Sequence, residues 1–240
     1  MRVAALYDIH GNLPALRAVL TDVERAGADL VLFGGDLAWG PLPRETMDVV
    51  MTFEENALFV RGNADREVAA RLGTEDGLDD WVAAVNTWAA DELTQLQRDF
   101  LQAQSDSAVL DIDGVGPVFF CHGSPRSDEE NITTATPDDR LEEMLAAVMQ
   151  PTVVCGHTHA QFERGIGSRM IVNAGSVGLP FGPPGAYWAL LGPERCLMRT
   201  TYDYAEAAEM FRSKAGPGAD DFAEHVVAPP PFGTAAELWG

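Results

Sequence analysis

The sequence predicts an α/β protein, and three observations carry that prediction. Short apolar runs that read as buried strands recur along the chain, at residues 3–7, Leu30–Phe33, 57–60, 118–120 and Thr152–Cys155. Segments with helical apolar spacing separate the early runs. Each run stops at a short polar motif: Asp8-Ile9-His10, Gly35-Asp36, Gly62-Asn63, Cys121-His122-Gly123 and Gly156-His157-Thr158-His159. An open α/β sheet presents its ligands at the carboxyl ends of its strands. The pattern therefore gathers three acidic or amide oxygens and four imidazoles along one edge. A pair of divalent metals needs such a set.

The elements follow in order. Leu13-Pro14 opens the first helix, with proline in its first turn. Leu13, Leu16, Val19, Leu20 and Val23 form its apolar stripe, and Gly27 ends it. The second strand leads to Gly34-Gly35-Asp36, a proline-bearing loop and a helix near 44–51. The third strand ends at Arg61-Gly62-Asn63. Residues 64–105 are acidic, carry Trp81 and Trp88, and contain one long helix-forming run over 88–104. They read as a helical cap inserted after the third strand or, equally, as ordinary surface helices. Asp113-Gly114-Val115-Gly116 joins two short strands in a hairpin, and a helix over 138–149 precedes the Gly-His-Thr-His strand. Short strands at 162–165, 170–173, Ala186–Leu191 and 196–199 suggest a second, largely antiparallel sheet. Asp203 caps a helix through Lys214. Residues 1–215 make one domain on this reading. Residues 216–240, with Pro229-Pro230-Pro231, make an irregular tail whose Phe232 and Trp239 could dock onto the body.

Composition narrows the function classes. The 240 residues are 46% hydrophobic and 22% charged, which allows a proper core. No apolar run approaches the ~20 residues that span a membrane, and Met1 leads straight into a strand without a secretory signal. The net charge is −21, with one lysine, Lys214, against 15 arginines. Such a surface repels nucleic-acid backbones and anionic lipid. A saline cytoplasm or an arginine-favouring genome explains it equally well. A phosphate substrate must find its positive charge locally. Of the three cysteines, Cys121 and Cys155 lack metal-type spacing and read as small buried hydrophobes. A reducing, cytoplasmic setting follows.

Taken singly, each polar motif has a structural explanation. Asp8 could close a turn, Asp36 could cap a helix, Asn63 could adopt a left-handed conformation, and His122 could be a core histidine. His157 and His159, two apart, project to one side of an extended segment. The ensemble resembles the calcineurin-like metallophosphoesterase superfamily, whose pattern is D-x-H, G-D, G-N-H-D/E, H and G-H-x-H in that order. The resemblance covers about residues 1–200. It includes Val172-Asn173-Ala174-Gly175-Ser176, and the Asp-Ile-His-Gly-Asn and His-Gly-Ser-Pro runs look like the small prokaryotic phosphodiesterase branch. It implies two facing β-sheets flanked by helices, a four-layer sandwich. It also implies that Asp8, His10, Asp36 and His159 hold one metal, that Asp36, Asn63, His122 and His157 hold another, and that Asp36 bridges them. Imidazoles with hard carboxylates suit Mn, Fe, Zn or Ni rather than an all-oxygen Mg or Ca site.

One departure bears on substrate. The family's fullest motif has a histidine after the asparagine that protonates the leaving group, and this chain has Ala64. Of five histidines only His225, in the tail, is not a ligand candidate, and the tail is not expected to fold over the site. A positioned general acid is worth about 10²–10⁴ in rate, so good leaving groups are favoured. Asp65 either acts as an acid through water or caps a helix. Arg66 and Arg126 follow metal motifs and are candidate phosphate contacts, competing with a plain surface role. Asn12 is a candidate beside the substrate, fixed in the turn after His10, and Asn173 could orient a ligating group. The expected activity is two-metal hydrolysis of a small, nucleotide-like phosphodiester or polyphosphate, with Asp36, Asn63 and Asp65 as catalytic candidates. The alternatives are a phosphomonoesterase or protein phosphatase, and a non-catalytic metal-binding scaffold.

Overall fold

The computed structural model describes residues 1–239. Its first sheet has the order β10-β9-β1-β2-β3, built from β1 (Val3–Leu6), β2 (Leu30–Phe33), β3 (Ala57–Phe59), β9 (Ala186–Leu191) and β10 (Arg195–Thr200). β1, β2 and β3 run parallel, linked by α1 (Leu13–Ala26) and α2 (Pro43–Val50). The second sheet has the order β4-β5-β6-β8-β7, from β4 (Ser107–Ile112), β5 (Gly116–Cys121), β6 (Thr152–Cys155), β7 (Phe162–Ile166) and β8 (Arg169–Asn173). The four strands between 162 and 200 do not form a sheet of their own. β7 and β8 join the second sheet, while β9 returns to pair antiparallel with β1, Ala4 opposite Leu190. Their apolar character shows that they are strands, but partner choice is a long-range matter of register.

Period-two alternation explains the layering. In and just after β1, Val3, Ala5 and Tyr7 face an inter-sheet core shared with Leu32, Val118, Phe120, Val154 and Val172. Ala4 and Leu6 point the other way, into the main core beneath α1, α2 and the helices that follow β3. On the far side of the second sheet, Val153, Cys155 and Ile171 pack against Leu141, Met144 and Leu145 of and just after α6 (Asp138–Met144). Helix, sheet, sheet, helix is the resulting order. α6 is shorter than the 138–149 run suggested.

After β3 come α3 (Asn63–Ala70), α4 (Asp80–Glu92) and α5 (Gln95–Gln102). Val68, Val85, Ala89 and Leu101 bury into the same core as α1. The helix-forming run at 88–104 is broken because Leu93 turns extended (ψ 142°) and Thr94 starts a new helix. The Thr94 side chain accepts from the Gln97 amide while the Gln97 side chain accepts from the Thr94 amide, a reciprocal cap.

The C-terminal segment is helical, contrary to the irregular tail expected. α7 (Tyr204–Lys214), α8 (Ala219–Val227) and α9 (Phe232–Trp239) follow one another. Phe222, Ala223 and Val226 of α8 enter the main core. The three prolines break only the link between α8 and α9, where the Gly182 amide donates to the Pro230 carbonyl at 2.7 Å. Phe232 lies so close to Gly182 that a Cβ there would collide with its ring. Lys214 ties α7 to α2 and α4 through Glu45 (2.8 Å) and Glu92 (2.9 Å). Among the described residues no helix is long and apolar enough to cross a membrane.

Candidate metal centre

The loops leaving β1, β2, β3, β5 and β6 converge at one end of the sandwich. Asp8, His10, Asp36, His157 and His159 all adopt positive φ, between 48° and 65°. These left-handed turns aim residues 8 and 10, and 157 and 159, at the site. The 157–159 segment is turned rather than extended as its spacing suggested, and its two histidines go to different donor groups. The loops also hold one another: the Asp8 amide donates to Gly35 O (3.0 Å) and the His10 amide to Asp36 O (2.9 Å). Gly35, at φ 99°, and Gly62 meet where a Cβ on either would strike the neighbouring loop. Only glycine lets the β2 and β3 loops approach so closely.

Two groups of donors result, Asp8 with His10 and His159, and Asp36 with His122 and His157, each with its ligand atoms within 4.8 Å. Asp36 Oδ2 stands between the groups, 3.7 Å from His10 Nε2 and 3.4 Å from His122 Nε2. Its Oδ1 accepts from the Ala64 amide at 2.9 Å, which fixes the carboxylate plane. Three of the histidines place Nδ1 on a main-chain carbonyl: His10 on Trp39 (3.1 Å), His122 on Gly34 (2.8 Å) and His159 on Leu179 (2.9 Å). A carbonyl only accepts, so Nδ1 carries a hydrogen and Nε2 is the nitrogen turned into the centre.

Of the nine buried side-chain atoms among the described residues that find no hydrogen-bond partner, three belong to these ligand candidates: Asp8 Oδ1, Asn63 Oδ1 and His122 Nε2. Leaving a buried acceptor unmatched costs about 1–3 kcal/mol. All three are ligand candidates and fit a cation. The charges agree. Against the penalty of burial, His159 and His122 hold Asp8 below the usual carboxylate range, and His122 and His10 do the same for Asp36. Burial, then His159, lowers His10 to about 4; burial, then His122, lowers His157 to about 4. Both are neutral ligands at pH 7. His122 moves up to about 10, since Asp36 and Asp8 overcome its burial. The carboxylates draw positive charge to this spot.

Residues 1–194 match the calcineurin-like phosphoesterase superfamily domain. The chain belongs to this superfamily. Over 178 residues it is 27% identical to the uncharacterized protein MJ0912 of Methanocaldococcus jannaschii, covering 73% of this chain and 69% of the relative. A metallophosphoesterase from Sphaerobacter thermophilus superposes with a TM-score of 0.74 at 27% identity, over 95% of this chain and 99% of that one. The hypothetical protein PH1004 from Pyrococcus horikoshii OT3 shares the fold, with a TM-score of 0.82 at 20% identity over 94% and 98% of the two chains. Superfamily membership and the two donor groups together imply divalent-metal binding.

Within this phosphoesterase centre the other candidates separate. Asp65 is buried, and its carboxylate accepts from the amides of Asp36 (2.9 Å), Gly62 (3.1 Å) and Leu37 (2.8 Å). Burial and Asp36 push it up to about 7, against the pull of those amides. It clamps the Asp36 and Asn63 loops together, which favours capping over acid catalysis. Asn12 has its side chain committed within the fold. Its Oδ1 accepts from the Ala15 amide and its Nδ2 donates to Gly178 O and Tyr202 Oη, so it fastens α1 to the loop after β8. Asn173 holds the Gly-His-Thr-His turn, donating to Gly156 O (2.8 Å) and Thr158 Oγ1 (3.0 Å). Arg66 is paired with Asp128 and Glu129, and Arg126 with Glu130, both beside His122.

The C-terminal helices do reach the site, contrary to the sequence expectation. Trp239 lies edge-on to His159 with centroids 5.8 Å apart, and to Phe181 at 5.4 Å. His225 stays behind them, its Nε2 at 2.9 Å from the Pro180 carbonyl. The sequence reading missed two participants. Ser176 donates to Asp8 O at 2.8 Å and holds the first ligand loop, within an Asn-Ala-Gly-Ser run already marked by the pattern. Arg61, directly before Gly62-Asn63, borders the centre with its Nε buried and unpartnered.

Proposed function

We propose that this protein hydrolyses phosphodiesters or nucleotide phosphoanhydrides with a pair of divalent transition metals, Mn, Fe, Zn or Ni. The observation that carries the reading is Asp36 Oδ2, poised between His10 and His122 and so between the two donor groups. Asp8, His10 and His159 would hold one cation; Asn63, His122 and His157 would hold the other; Asp36 would serve both. When bound, such a pair supplies Lewis-acid stabilisation to phosphoryl oxygens and makes water nucleophilic at neutral pH. The protein's own part is to turn Nε2 of His10, His122 and His159 into the centre by anchoring each Nδ1 on a main-chain carbonyl, and to fix Asp36 through Asp65 and the Ala64 amide.

The leaving group narrows the substrate. Ala64 stands in the family acid's position, Asp65 is committed to three amides, and His225 is turned to a carbonyl. Among the described residues no side chain is placed to protonate a poor leaving group, so phosphoanhydrides and aryl esters are favoured over alkyl esters. Arg66 and Arg126 sit beside His122, where they can meet an anionic substrate. Three free cysteines support a reducing, cytoplasmic setting.

Hydrolysis of bis(p-nitrophenyl) phosphate by metal-stripped protein, with and without added Mn²⁺, tests the reading. Metal-dependent turnover abolished by Asp36→Asn is expected. Tight metal binding with no turnover would mean a scaffold instead.

A further inference from the structure

On the His122 side of the metal centre lies a cleft of about 340 Å³, bordered by Arg61, Arg66, Ser124, Arg126 and Asp128. Three guanidinium groups from three segments meet there: the end of β3, α3, and the loop after β5. In a chain of net charge −21 such a concentration is conspicuous.

Counting donors shows what each guanidinium has left. Arg61 gives Nη1 to Gln102 O (3.1 Å) and Nη2 to Asp106 (2.6 Å), and its buried Nε has no partner. Arg66 gives Nε to Asp128 (2.9 Å) and Nη2 to Glu129 (2.6 Å). Arg126 gives Nε and Nη2 to Glu130. Among the described residues, Nη1 of Arg66 and Nη1 of Arg126 make no hydrogen bond. Every guanidinium is oriented by a carboxylate. Arg66 and Arg126 each keep an unused Nη1, while the unpartnered Nε of Arg61 is enclosed and Arg61 contributes its charge to the cleft wall. Ion pairs that fix a fork beforehand reduce the side-chain ordering that binding requires.

We propose that this cleft receives a second phosphate, adjoining the one held at the metals, so that the substrate is a nucleoside or dinucleoside polyphosphate rather than a simple diester. The inference rests on the hydrolase reading and extends it. The cleft meets the centre at His122, so an anion in it is joined to the scissile phosphoryl group without being that group. A carboxylate is planar and satisfied by one fork. Unused Nη1 donors from two arginines, with the charge of a third beside them, suit a tetrahedral phosphate.

Two measurements on manganese-loaded protein test this, comparing wild type with Arg61→Gln and Arg126→Gln. The first is calorimetric affinity for the non-hydrolysable β,γ-methylene analogue of ATP, which needs no turnover. The second is kcat/KM for diadenosine tetraphosphate and for bis(p-nitrophenyl) phosphate. Losing a charge-assisted contact should weaken analogue binding about 10- to 100-fold. The tetraphosphate should lose at least about tenfold more kcat/KM than the aryl diester. Melting curves identify a variant that has merely unfolded, and exposed Arg126 then serves alone. Unchanged analogue affinity in both variants, or parallel losses on both substrates, would overturn the cleft's role. Wild type that cleaves the aryl diester but does not bind the analogue also overturns it, and leaves the hydrolase reading intact. Wild type that binds the analogue arginine-dependently but cleaves nothing reverses that outcome.

Discussion

Nε2 of His10 stands 3.0 Å from Nε2 of His159, while both rings give Nδ1 to main-chain carbonyls. Two imidazole lone pairs thus face each other across a gap that favours a cation. Metal addition should therefore stabilise the fold, by about 2.7 kcal/mol at a hundredfold excess over Kd. Metal analysis should find two equivalents in wild type, about one in His159→Ala, and neither held firmly in Asp36→Ala. Two equivalents retained by Asp36→Ala would refute the bridge.

Leaving-group dependence is the second test. Wild-type rates should fall steeply from aryl to alkyl phosphodiesters as the leaving-group pKa rises, because no acid is placed to donate. Ala64 is buried and packs in the main core, so Ala64→His first has to find room, at a cost of about 1–3 kcal/mol. A lower Tm is expected, with any rate gain confined to alkyl substrates. A flat dependence in wild type would show that another group supplies the proton.

Trp239 covers one edge of His159. Trp239→Ala should speed metal loss to a chelator several-fold at the Asp8, His10 and His159 group, with little change in circular dichroism. Identical release kinetics would mean that α9 merely rests nearby.

Thiol chemistry probes the layers. Burial pushes the Cys121 thiol up and the Cys155 thiol to about 12, and both are enclosed, whereas Cys196 is exposed on β10. Native protein should present one thiol to a water-soluble disulfide reagent at pH 8, and denatured protein three. Rapid modification of two thiols in the native state would contradict the packing of β5 and β6.

Lys214 holds Glu45 and Glu92 across three helices. The bridge is partly exposed, so Lys214→Ala should cost about 0–1 kcal/mol by denaturant titration. Against slight desolvation, Lys214 lowers the Glu45 pKa. A depressed carboxylate stabilises above its unfolded value near 4.5 and loses that contribution as pH falls through its folded value. The difference between wild type and variant should accordingly shrink on acidification below about pH 4.5.

Much of this architecture was legible because strand ends and ligands coincide. Leu30–Phe33 and Thr152–Cys155 are read from the sequence with the bounds they have in the structure, and the motifs after them supply Asp36, His157 and His159, three of the six residues in the two donor groups. What stayed hidden depends on distant partners. Nothing local in Ala186–Leu191 says that it pairs with β1. Thr94-x-x-Gln97 was a readable stop signal inside an apparently continuous helix, and propensity masked it. Pro229-Pro230-Pro231 suggested an irregular tail but marks only the link between two docked helices. Asn12 and Asp65 have the chemistry of site residues; which backbone amides and carbonyls they meet is settled only by the fold.

The left-handed backbone at Asp8, His10, Asp36, His157 and His159 has a consequence for how this protein can change. A residue with a Cβ in that region is disfavoured by up to roughly 1–2 kcal/mol, less for aspartate and histidine than for most, so the five positions together oppose folding. Glycine at 10 or 159 would relax the turn in the same stroke that deletes a ligand. Without metal, such variants should outlast the parent on heating. Selection for robustness alone would thus dismantle this centre first, and its persistence in a lineage would record continued selection for the chemistry.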